Sequence, residues 1–242
     1  MKQIKTICIL SILAFTSSCS VTTTINPKPL VPAEHISRIQ PNSKSLRSIA
    51  VLNFTPSERL ESNEMYKGFK LNVNLPNDKK ISTDITEKEL FKYIDVIDRQ
   101  TIDKVLNEIN LQHSSAFDNS SAVDVGKLLG CSAVITGNVN YAYANLRRKS
   151  NAYGGSLSIY LAYVSISMRL IDVETGKILW ISSISRNSQN YLNKPIKVTN
   201  VDVIKNPDFL VSYMHGSTPE QIIKYVMKEA IKESIKDLSN YL

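Results

Sequence analysis

The chain has 242 residues, of which 43% are hydrophobic and 21% charged, and its formal net charge is +7 at pH 7. This length is enough for one large domain or two small ones with a real core. The basic charge is not gathered in an arginine-rich tract interleaved with aromatic residues. We therefore expect anionic lipid or acidic polymer, and no nucleic acid, as partner.

Residues 1–19 have the pattern of an export signal. An apolar stretch of about ten residues follows a basic head, and two serines then lead into Cys19. The stretch is too short to span ~30 Å of hydrocarbon as a helix. The small-small-Cys ending resembles a bacterial lipobox, although Thr16 stands where leucine is usual. We predict a lipoprotein signal peptide at 1–18 and acylation of Cys19. The alternative is an ordinary signal peptide cut nearby.

Acylation of Cys19 would attach the chain to membrane lipid, and we expect an outer-membrane location facing the periplasm. Residues 19–45 hold four of the nine prolines and no sustained hydrophobic period, so they are predicted to be a flexible tether. The folded domain is predicted at 46–242. Cys131 then remains as a free cysteine, predicted to be a small buried hydrophobe, and no disulfide framework is expected.

The first half of the predicted domain mixes strands and helices. Arg47–Phe54 is predicted to be a strand buried on both faces, because its apolar residues do not alternate. A long connection at 55–81 contains an amphipathic strand over Phe69–Leu75. A helix over Ser82–Phe91 and a short strand over Tyr93–Ile97 follow.

Two clearer helices come next. Ile102 begins an i, i+3, i+4, i+7 apolar period, and Asp98 is placed to cap that helix. The next helix starts at Ser120 and ends with Gly130 at its C′ position. Cys131–Tyr143 returns to strand.

The second half is predicted to be a long hairpin and a terminal helix. Ser156–Val173 is strand-like, but its apolar parity switches between Tyr163 and Val164, which predicts a β-bulge there. After a tight turn, Lys177–Ile184 pairs back. Thr218 is predicted to cap the last helix through a capping box. The fold class is therefore α/β, a mixed β-sheet packed by helices.

No residue constellation points to catalysis, a metal or a cofactor. His35, His113 and His215 lie far apart in the sequence, without a second ligand at metal-binding spacing. Gly126-Lys127 lies inside a predicted amphipathic helix and lacks the spacing of a phosphate-binding loop. We predict that the protein is not an enzyme.

Three blocks of sequence together resemble the CsgG-type family of curli-secretion lipoproteins. They are DRQTIDKVLNEINLQHSSAFD at 98–118, AVDVGKLLGCSAVITGNV at 122–139 and MRLIDVETGKILW at 168–180. The resemblance covers about 46 to 185. It implies a homo-oligomeric ring in the outer membrane that exports unfolded amyloid subunits and inserts amphipathic hairpins into the membrane.

Two segments, 139–170 and 181–211, are the candidates for membrane-inserting β-hairpins. The second is polar and broken by Pro195, which favours the alternative of an ordinary solvent-facing hairpin. The family's channel also narrows at a loop with aromatic residues, whereas 75–80 contains none. The first segment is rich in tyrosine, the residue that marks membrane interfaces. Its candidate interface residues are Tyr141, Tyr143, Tyr153, Tyr160 and Tyr163.

Two functions remain open at this point. The first is an outer-membrane-associated lipoprotein of a curli-type secretion or assembly system, with secreted amyloid-like subunits as partners. The alternative is a tethered periplasmic lipoprotein that binds and regulates an envelope protein. In that architecture it is similar to the lipoprotein activators of penicillin-binding proteins.

Overall fold

The computed structural model describes residues 22–25, 34–39, 46–57, 65–66, 69–108, 119–150, 156–188, 196–199, 210–211 and 218–242. The strands are β1 (Thr22–Ile25), β2 (Glu34–Ile39), β3 (Ser48–Val51), β4 (Met65–Tyr66), β5 (Phe69–Lys70), β6 (Asn72–Asn74), β7 (Asp95–Val96), β8 (Ala133–Ser150), β9 (Ser156–Asp172), β10 (Ile178–Asn187), β11 (Ile196–Thr199) and β12 (Leu210–Val211). The helices are α1 (Asp78–Leu90), α2 (Arg99–Glu108), α3 (Asn119–Leu129) and α4 (Pro219–Ser239).

A mixed sheet of eight strands organises the described residues. Its main order is β2-β10-β9-β8-β3-β7, with β12 also on β9 and β6 also on β8. β3 is parallel to both of its neighbours, whereas β8, β9, β10 and β2 are antiparallel in turn. Two small pairs, β1-β11 and β4-β5, lie outside this sheet. The predicted fold class is confirmed.

The larger core lies between one face of the sheet and helices α1 and α4. α4 begins as predicted, since the Thr218 hydroxyl accepts from the Gln221 N–H at 3.3 Å and the Gln221 side chain accepts from the Thr218 N–H at 2.8 Å. Its apolar stripe is buried against the sheet. The stripe contains Ile222, Ile223, Val226, Met227, Ala230, Ile231, Ile235 and Leu238.

A smaller core lies on the other face, under α2 and α3. Asp98 accepts the Thr101 N–H at 3.0 Å and so caps α2 as predicted. Gly130, with φ +65, ends α3 in the left-handed conformation that glycine adopts without strain. Cys131 is buried here at 6% exposure, as its apolar neighbours indicated.

Helix α1 begins earlier than the sequence predicted, at Asp78 rather than Ser82. Its buried face consists largely of hydroxyl residues that bond back to carbonyls one turn earlier. Hydroxyl residues contribute little to a hydropathy period, so the helix was hard to delimit from the pattern. These residues are Ser82, Thr83 and Thr86.

The predicted bulge between Tyr163 and Val164 is wrong. β9 pairs without interruption there, with both of its neighbours. The extra residue is Asn140 on β8, where the register shifts between Val139 and Tyr141. β9 loses its alternation because both faces of the sheet are buried at this point, and not because the strand bends.

Two described strands, β1 and β2, lie within the segment predicted to be a tether. β2 pairs with β10 along its whole length. The sheet therefore begins before residue 46 in the sequence. Residues 19–21, 26–33 and 40–45 of the predicted tether lie outside the described residues.

Candidate functional site

Helices cover the two faces of the sheet unequally. α1 and α4 cover one face of the central strands, whereas α2 and α3 cover only the part of the other face near β3. We call the rest of that second face, over β8, β9, β10 and β2, the open face. It includes Asn138, Asn140, Ser165, Ser167, Ile181, Ser183 and Ser185 on the central strands, and Glu34, Ile36 and Arg38 continue it on β2.

A tyrosine cluster lies next to the open face, towards the tip of the long hairpin formed by β8 and β9. The rings of Tyr143 and Tyr163 stack with centroids 5.3 Å apart, and Tyr141 lies 5.8 Å from Tyr143. Tyr163 is 1% exposed, and its hydroxyl has no hydrogen-bond partner in the part of the chain that the structure describes. Burial raises the pKa of Tyr143, and the adjoining Tyr163 and Tyr141 raise it further.

The predicted interface tyrosines do not share one face. Tyr160 lies on the opposite face of β9, in the larger core, and donates its hydroxyl to the Lys70 carbonyl at 2.7 Å. Burial raises its pKa, with a further contribution from Glu220. Tyr153 and the predicted acylation site Cys19 lie outside the described residues.

Short polar side chains bond to one another across the open face. The Asn140 amide donates to the hydroxyls of Ser165 and Ser167, at 3.1 and 3.0 Å. Ser185 donates to Ser165 at 3.0 Å, which links β10 to β9. The bulge at Asn140 thus directs an amide onto the neighbouring strand, and the face carries short polar side chains together with the exposed Ile36 and Ile181.

A second cluster, which the sequence did not indicate, fixes β2 to α4 on the helix-covered face. His35 lies 3.6 Å from Glu233 and 3.4 Å from Asp237. Arg186 on β10 also bonds Glu233, at 3.1 Å through its Nε. The indole of Trp180 donates to the Ser37 hydroxyl at 3.0 Å. A tether assignment based on proline content gave no signal for these contacts.

An ionic cluster lies at the carboxyl end of β3. Arg99 donates to the Val51 carbonyl at 2.9 Å and to Asn53 at 3.2 Å, and it also bonds Glu87. Burial raises the pKa of Glu87, and the attraction of Arg99 only partly offsets this. The cluster joins α1 and α2 to the strand between them.

Neither a metal centre nor a membrane-spanning helix is found among the described residues. No group of three or more His, Cys, Asp or Glu side chains in them could hold a metal ion. None of their helices is both long and apolar enough to cross a bilayer. A shallow polar groove lies between α3 and the β9–β10 turn, lined by Asp124, Lys127 and Glu174 among others.

These features define a class of protein: an α/β body with one sheet face that helices cover only in part and with a long hairpin. The chain belongs to the family described as the curli production assembly/transport component CsgG, whose profile matches residues 34–242. The match begins at Glu34, the first residue of β2. No curated protein sequence matches the chain significantly.

Several solved structures are distantly similar. PelC from Paraburkholderia phytofirmans, solved as a dodecamer, is 12% identical with a TM-score of 0.44, over 86% of this chain and 98% of that one. The LpoB C-terminal domain from Escherichia coli is 13% identical, with a TM-score of 0.37, over 60% and 86%. Lipoprotein GNA1162 from Neisseria meningitidis is 16% identical, with a TM-score of 0.37, over 57% and 78%. Likenesses this distant carry no functional argument.

Proposed function

We propose that this chain is an outer-membrane-associated lipoprotein that serves a curli-type secretion or assembly system as a homo-oligomer. The observation that carries the proposal is its membership of the CsgG family over 34–242. The signal-like sequence that ends at Cys19 supports it, because an acylated cysteine attaches a protein to a bilayer surface.

The acyl anchor is tested by labelling cells with palmitate and fractionating their membranes. Cys19→Ser should remove the label and release the protein from the membrane fraction, since the sulfur that carries the lipid is gone. Cys131→Ser is the matched control, because Cys131 is buried in the smaller core and should not be acylated. Label on the Cys19→Ser variant, or unchanged membrane partition, would overturn the anchor.

A second candidate function is a tethered module that docks onto an envelope protein. The burial of the two tyrosines of β9 favours it, because Tyr160 and Tyr163 are 5% and 1% exposed. Residues that line a lipid interface are exposed on the outside of the protein. The open face combines short polar side chains with the exposed Ile36 and Ile181, and such a mixture suits a protein partner better than a lipid chain.

Imaging and conductance distinguish the two functions. The acylated full-length protein is purified in detergent, examined by negative stain, and added to a planar bilayer. Rings that conduct ions support export of secreted subunits through an oligomeric channel. A monodisperse particle without conductance supports the docking module and contradicts the channel.

A further inference from the structure

β2 is an edge strand of the eight-stranded sheet. β10 pairs with it on one side, and no other described strand pairs with it on the other. The outward backbone N–H and C=O groups of such a strand are available to a further strand. The side chains of β2 determine which strand can pair there.

β2 is held rigidly enough to act as a template. On the helix-covered face, His35 contacts two carboxylates of α4, and Ser37 accepts the Trp180 indole N–H. Arg186 also donates to the Glu34 backbone carbonyl at 2.9 Å. These contacts use one face of β2 and leave the side chains of the other face exposed.

The exposed side chains of β2 are complementary in charge and polarity to those of an identical, antiparallel strand. Glu34, Ile36 and Arg38 are all exposed on the open face, with Ile36 at 47%. Neither charged side chain forms an ion pair with another described residue. We propose that β2 pairs with β2 of a second copy of this chain, antiparallel and centred on Ile36. Glu34 then lies opposite the second copy's Arg38, and Ile36 lies opposite its counterpart.

The side chains select this register. In an antiparallel pair, residues opposite each other have their side chains on the same face of the sheet. When the two strands are identical and related by a two-fold axis, the axis must therefore lie midway between one residue and the same residue of the second copy. Centring on Ser37 would place Ile36 opposite Arg38, and centring on His35 would place Glu34 opposite Ile36. Centring on Ile36 joins two opposite-charge pairs and one apolar pair. On the open face β10 adds Ile181, Ser183 and Ser185, none of which is charged.

The pairing makes a closed dimer in which one sheet continues across the two-fold axis, and the open faces of both copies lie on the same side. It requires neither acylation nor export. It is therefore independent of the proposed acyl anchor and of the proposed export, and either of these can fail without it. It goes beyond the proposed homo-oligomer by naming one contact between copies.

Disulfide trapping tests the pairing directly. In the full-length protein, Ile36→Cys places two thiols opposite each other across the axis, with Cα atoms about 4.5–5.5 Å apart, within reach of a disulfide. Mild oxidation should give a covalent dimer on a non-reducing gel. Ile181→Cys is the matched control, since it is similarly exposed at 44% on the same face but lies one strand inward. Because Ile181 pairs with Arg38, two residues from the axis, its thiol would be about 20 Å from its counterpart and should not cross-link.

Charge exchange tests the register. Glu34→Arg or Arg38→Glu, each added to Ile36→Cys, puts like charges opposite each other twice, and each should lower the cross-link yield about tenfold. Mixing these two chains, one carrying a size tag, restores opposite charges and should restore the mixed cross-link. Failure of Ile36→Cys to cross-link above Ile181→Cys would overturn the proposal. So would a mixture that cross-links no better than the single variants.

Discussion

Two tyrosines of β9 show how one residue type meets opposite environments on the two faces of a strand. The Tyr160 hydroxyl bonds the Lys70 carbonyl, whereas the Tyr163 hydroxyl is buried without a partner among the described residues. A buried hydroxyl without a hydrogen bond opposes folding, because it has given up its bonds to water. Tyrosine content marked this hairpin in the sequence, but the content does not reveal which hydroxyls are bonded.

The two tyrosines therefore predict stability changes of opposite sign. Tyr160→Phe should lower the free energy of unfolding by about 1 kcal/mol, because the Lys70 carbonyl loses its donor. Tyr163→Phe should leave it unchanged or raise it by up to about 1 kcal/mol, because it removes an unbonded polar atom. Urea unfolding of the two variants beside the wild type measures both changes. An equal loss of unfolding free energy in both variants would contradict the prediction that only the Tyr160 hydroxyl stabilises the fold.

Glu87 predicts a pH dependence. Its pKa is raised above the ordinary 4.5, chiefly by burial, so the folded state favours the protonated form. The associated stability is fully present below the ordinary carboxyl pKa and is lost as the pH rises through the raised folded pKa. Glu87→Gln should therefore gain stability relative to the wild type between acid and neutral pH, while Arg99 keeps its bonds to Val51 and Asn53. Urea unfolding across this range measures the gain, and parallel profiles would contradict it.

At the scale of elements, the described sheet and helices depend on a few close approaches. α3 lies against the sheet at Gly126, where an added Cβ would be 2.4 Å from a methyl of Val173 and 2.8 Å from one of Val134. The sequence motif around this glycine was therefore correctly interpreted as a helix, and the structure adds why the helix needs glycine. The reason is the short distance from Gly126 to the methyl groups of Val173 and Val134, which the sequence alone does not show.

Gly126→Ala should lower the free energy of unfolding by about 1–3 kcal/mol through overpacking. Alanine is otherwise the better helix former by about 1 kcal/mol, so propensity alone predicts the opposite sign. In the double variant with Val173→Ala, the loss should be smaller than the sum of the two single losses, because the closest clashing methyl group is gone while that of Val134 remains. Urea unfolding of the four proteins gives this coupling, and strictly additive losses would exclude the clash.

At the scale of the whole molecule, local signals predicted more than long-range ones. The N-cap of α2, the capping box of α4, the apolar periods and the turn glycines predicted α2, α3, α4 and the β9–β10 hairpin, because each signal lies within a few residues of the element it defines. β2 was not predicted, because its partner strand lies far away in the sequence. The interface tyrosines were predicted as a set. Alternation along β9 places Tyr160 and Tyr163 on opposite faces, whereas the bulge at Asn140, which the sequence did not reveal, places Tyr141 and Tyr143 on the face of Tyr163.

The placement of β2 has a consequence for how the chain reaches its final shape. The hydroxyl of Ser37 and the indole of Trp180, which join β2 to β10, are 143 residues apart. Contacts this distant form late, because the long intervening loop must close first. A nascent polypeptide emerges from its N-terminus, so this segment is made early and stays without its partner strand until the second half has followed. Until β10 has been made, the nascent chain depends on dilution or on chaperones to avoid aggregation through β2.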